Sequence, residues 1–327
     1  MDSDKQTPTD RAGVDWRSAG WITGLALALY VAFRLLPTGT NLHHMDFQVQ
    51  GAGALEMCDP ANPQFIPVVA VRSPVKLGLT PQDGAKPAAG RETRFVLTLA
   101  TSGGKPIGPI DLITVHTRKL HLLVIDPTLR DYQHIHPEPG ERDGEWVFSH
   151  TPERAGTYRV FADFTPAATG RGLYSFSDYN ADGPAGEDSG EVRWAPALGE
   201  EVEREGYLLR LDLERGGVVK AGVPGTLVFS LRAKDGAAVP LEPVMGAYVH
   251  ATAFDEERSG FAHLHPRVEP GQRPPREGEA PPPPSDVLRP SFAFDVMIPR
   301  AGPYLVWTQF NLGGEERFEP FFLEVVK

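Results

Sequence analysis

The chain has a single cysteine, Cys58, in 327 residues, so no intrachain disulfide can staple it. It has no excess of positive charge: 32 Lys and Arg against 43 Asp and Glu leave a formal net charge of −11. Phosphate recognition needs a basic surface, which argues against nucleic acid as a partner. The apolar share, 41%, is too low for a polytopic membrane protein. No CxxC, HExxH, Gly-rich phosphate loop or Ser-His-Asp spacing is present, so no enzyme class is indicated. After Pro37 no long segment carries a helical period. Histidine is scarce too, ten residues in all.

Six of those ten form one pattern used twice. His121, then His134-Ile135-His136-Pro137, is repeated as His250, then His263-Leu264-His265-Pro266, every position offset by 129. The repeat extends further. Val75–Leu79 matches Tyr207–Leu211 and Phe95–Leu99 matches Leu227–Leu231, both at an offset of 132. Ala155–Phe164 matches Ala301–Phe310 at an offset of 146, which leaves 17 extra residues in the second copy around Arg267–Pro290. That stretch contains Pro281–Pro284 and reads as a surface loop. Each copy offers short runs with period-2 alternation between turns, and Gly 34 and Pro 32 suit so many turns. The expected fold is mainly β: two tandem immunoglobulin-like antiparallel sandwiches after one N-terminal transmembrane helix. Tyr158 and Tyr304 sit where such folds carry a tyrosine corner, and a plain core role fits them equally well.

The expected division is 1–18 tail, 19–37 transmembrane anchor, 38–72 spacer with an extra strand or cap near Phe65–Val69, 73–178 first sandwich, 179–198 linker and 199–327 second sandwich. The run Gly20–Phe33 is uncharged, and Arg34-Leu35-Leu36 extends it to the lower limit of a spanning helix. No small-x-small cleavage site follows, so an uncleaved single-span anchor is expected. Arg11 and Arg17 favour an inside N-terminus, with the bulk of the chain extracytoplasmic, in the periplasm or on the cell surface.

The histidine spacing has a geometric consequence. His134 and His136 are i and i+2, so on a strand they leave the same face. Asp126–Asp131 reads as a hairpin turn. Pairing Ile125 with Tyr132 puts His121 opposite His136, and a shifted register puts it opposite His134. Either way three imidazoles share a face, with Cβ atoms of opposed residues about 5 Å apart. The same holds for His250, His263 and His265. Three neutral imidazoles leave one position open on Zn(II) or Cu(II). The competing reading is a metal-free hydrogen-bonded hairpin, duplicated with its domain.

The remaining candidates carry less. Asp126 and Asp255 align; they suit a turn better than the orientation of an imidazole. His116 aligns with Met245, but on a regular strand it faces away from His121. His43, His44, Met45, Met57 and Cys58 mix ligand types suited to copper, or form a plain tether. His150 stands alone and is expected at the surface. A cupin arrangement fails, because Glu141 of the first copy aligns with Pro270 of the second.

The stretches LHLLVIDPTLRDYQHIHP and AGTYRVFADFTP resemble bacterial membrane-anchored extracytoplasmic β-sandwich proteins. They are similar to YtkA-like domains and, more distantly, to periplasmic copper-resistance carriers. The resemblance implies metal handling, or a place beside an envelope complex. It carries over the six repeated histidines as ligands. A Met-rich segment and an N-terminal histidine ligand, present in the copper carriers, are missing here, which leaves copper or zinc open. The expected function is therefore transition-metal binding as carrier, buffer or sensor. A metal-free scaffold for an envelope protein partner is the alternative, and a metal-dependent oxidoreductase the third reading.

Overall fold

The computed structural model describes residues 16–35, 40, 42–47, 64–184, 192–273 and 279–327. Met57 and Cys58 lie outside them. The chain divides into two units, Met1–Asn41 and Leu42–Lys327.

In the first unit, helix α1 spans Trp16–Leu35. Its large apolar side chains between Trp21 and Val31 are exposed, Trp21 at 81% and Leu27 at 63% among them. Among the described residues, however, no helix is long and apolar enough to cross a membrane. This corrects the expected transmembrane anchor over 19–37. Arg17 and Arg34 bound the uncharged stretch, whose roughly 24 Å at 1.5 Å per residue falls short of a hydrocarbon core of about 30 Å.

The second unit holds both copies. The first contributes β1 (Val75–Pro81), β2 (Thr93–Thr101), β3 (Leu112–Ile113), β4 (Leu120–Ile125), β5 (Tyr132–Ile135), β6 (Glu138–Pro139), β7 (Glu145–His150), β8 (Gly156–Pro166) and β9 (Leu173–Ala181). The second contributes β10 (Glu201–Arg204), β11 (Tyr207–Leu213), β12 (Val219–Lys220), β13 (Gly225–Ala233), β14 (Leu241–Glu242), β15 (Val249–Asp255), β16 (Phe261–Leu264), β17 (Ser291–Val296), β18 (Gly302–Leu312) and β19 (Glu315–Val326). In the first copy a sheet β1-β2-β7-β6 faces a sheet β9-β8-β4-β5. These are the ABED and GFC orders of an immunoglobulin sandwich, with β5 as an added edge strand. The second copy repeats the plan as β11-β13-β17 and β19-β18-β15-β16. Its counterpart of β6 is replaced by the proline-rich insertion, whose described residues form no strand. Tyr304 closes a tyrosine corner by donating its hydroxyl to the Arg300 carbonyl at 3.1 Å. Tyr158 instead donates to Asp131 and accepts from the Arg154 N–H, four residues upstream.

Each copy has its own core, but a third core joins them. Leu120, Leu122 and Val124 of β4 point into the first sandwich, while Leu123 and Ile125 point out of it. The outward set meets Phe254, Phe261, Leu305, Trp307 and Phe322 of the second copy. The sheets β9-β8-β4-β5 and β19-β18-β15-β16 therefore pack back to back. All six residues of β4 and all seven of β15 are consequently buried. The contact is reciprocal: Tyr132 of β5 lies 5.8 Å from Trp307 of β18, and Phe261 of β16 lies 5.2 Å from Phe161 of β8. Such mutual pairing is the mark of a two-fold interface, here between two halves of one chain.

The segment around Phe65–Val69 forms no strand. It is held by backbone bonds from Phe65 to Met297 and between Ile66 and Phe261, and it ends in a 3-10 turn at Val68–Ala70. Phe65 enters the second core and Ile66 the joint. Inside the expected linker, β9 runs on through Ala181, and Val192–Trp194 forms another 3-10 turn against the joint.

Candidate metal centre

The strand pairing selects one of the two registers open from the sequence. Ile125 pairs with Tyr132 and Leu123 with His134, which carries His121 opposite His136. In the second copy Phe254 pairs with Phe261 and Thr252 with His263, which places His250 opposite His265. The ring centroids are 4.8 Å apart for His121 and His136, and 4.9 Å for His250 and His265. In each triad, one nitrogen from every ring lies within 4.8 Å of the other two. In the first, His121 Nδ1 is 3.1 Å from both His134 Nε2 and His136 Nε2. A tetrahedral ion with bonds of about 2.0 Å would hold its ligand nitrogens roughly 3.3 Å apart.

The triads lie at the joint, facing each other. His134 and His263 centroids are 4.9 Å apart, and His121 and His263 5.7 Å. The sequence reading treats the sites as separate, one per domain; the packed sheets instead bring six imidazoles together.

What holds each ring sets its tautomer. His121 Nε2–H donates to the Val115 carbonyl and His250 Nε2–H to the Val244 carbonyl, both at 3.0 Å. Each carbonyl precedes a two-residue turn with both central φ values positive, His116-Thr117 and Met245-Gly246. That leaves Nδ1 of His121 and of His250 as lone pairs. His134 Nδ1–H donates to Gln309 Oε1 at 2.9 Å. The Gln309 amide is oriented by donating its N–H to Glu316. His263 Nδ1 meets Asp163 Oδ2 at 3.2 Å. Nε2 of His134 and of His263 are then lone pairs as well. His250 Nδ1, His263 Nε2 and His265 Nε2 are buried without a hydrogen-bond partner. These are the same three nitrogens that converge in the first triad.

Burial pushes all six imidazoles toward the neutral form. It takes His136 and His250 down to about 3 and His134, His263 and His265 well below the ordinary value, with neighbouring histidines adding to the effect. His121 is lowered by burial as well, against the opposing pull of Asp163.

Two residues of the site escape sequence reasoning. Asp163 and Gln309 occupy equivalent positions, and each reaches across to a histidine of the other copy. The available signal was a polar residue capable of holding an imidazole at the same place in the two matched stretches, Ala155–Phe164 and Ala301–Phe310. His116, expected to face away from His121, joins the site as well. Its turn carries it off the regular strand path, and its ring stacks on His265 at 3.5 Å. Asp126 serves its turn, accepting from Thr128, Arg130 and Asp131, and Asp255 accepts from Ser259. His150 is not at the surface as expected. It is buried at 2% exposure and its Nδ1 is hydrogen-bonded to the Tyr179 hydroxyl, because β7 turns it into the sandwich. His43 and His44 sit at a separate 3-10 turn, rings 4.0 Å apart.

Residues 75–173 and 201–327 match one family, described as Domain of unknown function (DUF8832). The chain belongs to that family. The matched segments are the two copies, and the family shown is this one; a likeness to YtkA-like domains or copper carriers is not shown. No curated protein matches the chain. Among solved structures, this DUF8832 chain aligns with invasin, a bacterial integrin-binding protein, at 12% identity, over 76% of this chain and 39% of that one, with a TM-score of 0.22. Fibronectin(III)-like modules of Clostridium thermocellum CbhA align at 10% identity, over 76% and 94%, with a TM-score of 0.18. Domains 4 and 5 of the S-layer protein SbsC align at 13% identity, over 77% and 98%, with a TM-score of 0.19.

Proposed function

We propose that this chain binds two transition-metal ions of the Zn(II) or Cu(II) class, one in each triad, as an extracytoplasmic carrier, buffer or sensor. One observation carries the reading. His121 Nδ1 and His134 Nε2 face each other at 3.1 Å, and both rings spend their N–H elsewhere, on Val115 and Gln309. Two lone pairs so close repel unless a cation lies between them. A proton is disfavoured there, because burial lowers the pKa of His134 and, against the pull of Asp163, that of His121. A metal ion suits neutral imidazoles and satisfies the unpartnered nitrogens of the second triad, each of which otherwise costs about 1–3 kcal/mol.

The alternative, a metal-free scaffold for an envelope partner, is favoured by the His136 Nε2 to His121 Nδ1 distance of 3.1 Å, which also fits a hydrogen bond. Elemental analysis and calorimetric titration of the full chain, purified without affinity histidines, separate the two. Two ions per chain are expected, and one in His136→Ala or His265→Ala. No binding of either metal at micromolar concentration would leave the scaffold. The exposed apolar α1 supports attachment to a lipid surface. The chain should co-sediment with lipid vesicles and lose that binding when residues 16–35 are removed, and a protein that stays in the supernatant would remove that part of the reading.

A further inference from the structure

The triads match in their nitrogens and differ in what stands behind them. His134 Nδ1–H donates to a neutral amide, Gln309 Oε1, at 2.9 Å, whereas His263 Nδ1 faces a carboxylate, Asp163 Oδ2, at 3.2 Å. Residues 163 and 309 are the same place in the repeat, on β8 and β18; each bonds a histidine of the other copy's triad, and Asp163 also lies cross-strand from His121. A carboxylate behind a ligating imidazole raises the electron density on its metal-binding nitrogen and offsets part of the ion's charge, and an amide does less of both. A second difference lies on the same side. The His116 ring stacks on His265 at 3.5 Å, and in the other copy the equivalent position is Met245.

Resting on the metal-binding reading above, we infer that the pair is unequal: the triad His250, His263 and His265 takes the first divalent ion, and Asp163 is the residue that makes it the stronger site. The triad His121, His134 and His136 fills second. Because Asp163 belongs to the first copy, the rank order is a property of the joined halves and not of either sandwich.

The two ions would lie close enough to repel, so two affinities in the wild type do not by themselves test this. Each site is therefore measured alone in the full chain. His136→Ala leaves the second triad intact, and His265→Ala leaves the first. Zn(II) affinity is read by competition with a chromophoric chelator, and circular dichroism melts establish that each variant is folded. His136→Ala should bind Zn(II) about 10–100-fold more tightly than His265→Ala, the usual range for such outer partners. Adding Asp163→Asn to His136→Ala should remove most of that advantage. Adding Gln309→Glu to His265→Ala should raise its affinity, which keeps the test open if the Asp163 variant does not fold. Equal affinities of the two single-site variants, or no response to either exchange, would overturn the ranking. Absence of Zn(II) binding in every variant and in the wild type would instead overturn the metal reading beneath it.

Discussion

A histidine in this chain is decided by what covers it. His150 shows this away from the candidate metal centre. Burial takes its pKa down to about 4, so the fold holds it neutral while the unfolded chain protonates near 6.5. Its contribution to stability is complete above pH 6.5 and is lost as pH falls toward 4, by about 3 kcal/mol. Asp131 runs the other way. Burial raises it to about 6, so its contribution is complete below about 3.8 and is lost as pH rises through 6. The net slope is a difference of the two, and the variant isolates one part. His150→Leu should lose a small constant amount by leaving the Tyr179 hydroxyl without its partner. It should also remove the rise of stability with pH that His150 supplies between about 4 and 6.5, leaving the opposing fall from Asp131 uncompensated. The variant then loses stability relative to the wild type as pH rises through this window. Urea denaturation at pH 7, 5.5 and 4.5 measures this; parallel curves would mean that His150 is protonated in the fold.

At the scale of elements, the turn between β15 and β16 is built around a close approach. A Cβ on Gly260 would come within 1.8 Å of the Ile66 carbonyl oxygen, which is backbone and cannot rotate away. That carbonyl accepts from Phe261 N–H, and Ile66 N–H donates to the Phe261 carbonyl, so the segment before β1 is stitched to the hairpin that carries His263. Gly260→Ala should force the strand and segment apart and cost about 1–3 kcal/mol, as overpacking does. Chemical denaturation measures the loss. A stability within error of the wild type would show that the segment is not docked there. The hairpins themselves are legible in the sequence. A period of two places His134 and His136 on one face, and the turn residues place His121 beside them. The choice between two registers is not legible there, because both satisfy the same alternation and only the packing of Ile125 and Tyr132 into the joint separates them.

At the scale of the molecule, two sandwiches act as one body. Trp307 is 6% exposed, packs near Tyr132 and donates its indole N–H to the Leu129 carbonyl of the other copy at 3.2 Å. Trp307→Ala should cost about 3–5 kcal/mol, and should do so in a single unfolding transition for residues of both copies. Residues 199–327 expressed alone should expose Phe254, Phe261, Leu305 and Phe322 and therefore associate or bind a hydrophobic dye, whereas Leu42–Lys327 should not. A monomeric, cooperatively folding fragment without dye binding would show that the joint contributes little. The expectation that each copy stands by itself came from the repeat, which describes what is alike in the halves and is silent on how they meet.

By itself the sequence determined the β class, the duplication, the turns and the sharing of one face by each set of three histidines. All of these are local: a period of two, an offset held over many residues, and turn chemistry are written in neighbouring positions. The tertiary structure alone decided what those faces meet. LHLLVI is apolar on both sides, so no alternation marks which side enters its own sandwich and which enters the joint. The partners that fix the tautomers of His134 and His263 lie 175 and 100 residues away in the chain. Contacts at such separation leave no period, and the pairing of an amide with one triad and a carboxylate with the other emerges only when the two sheets close on each other.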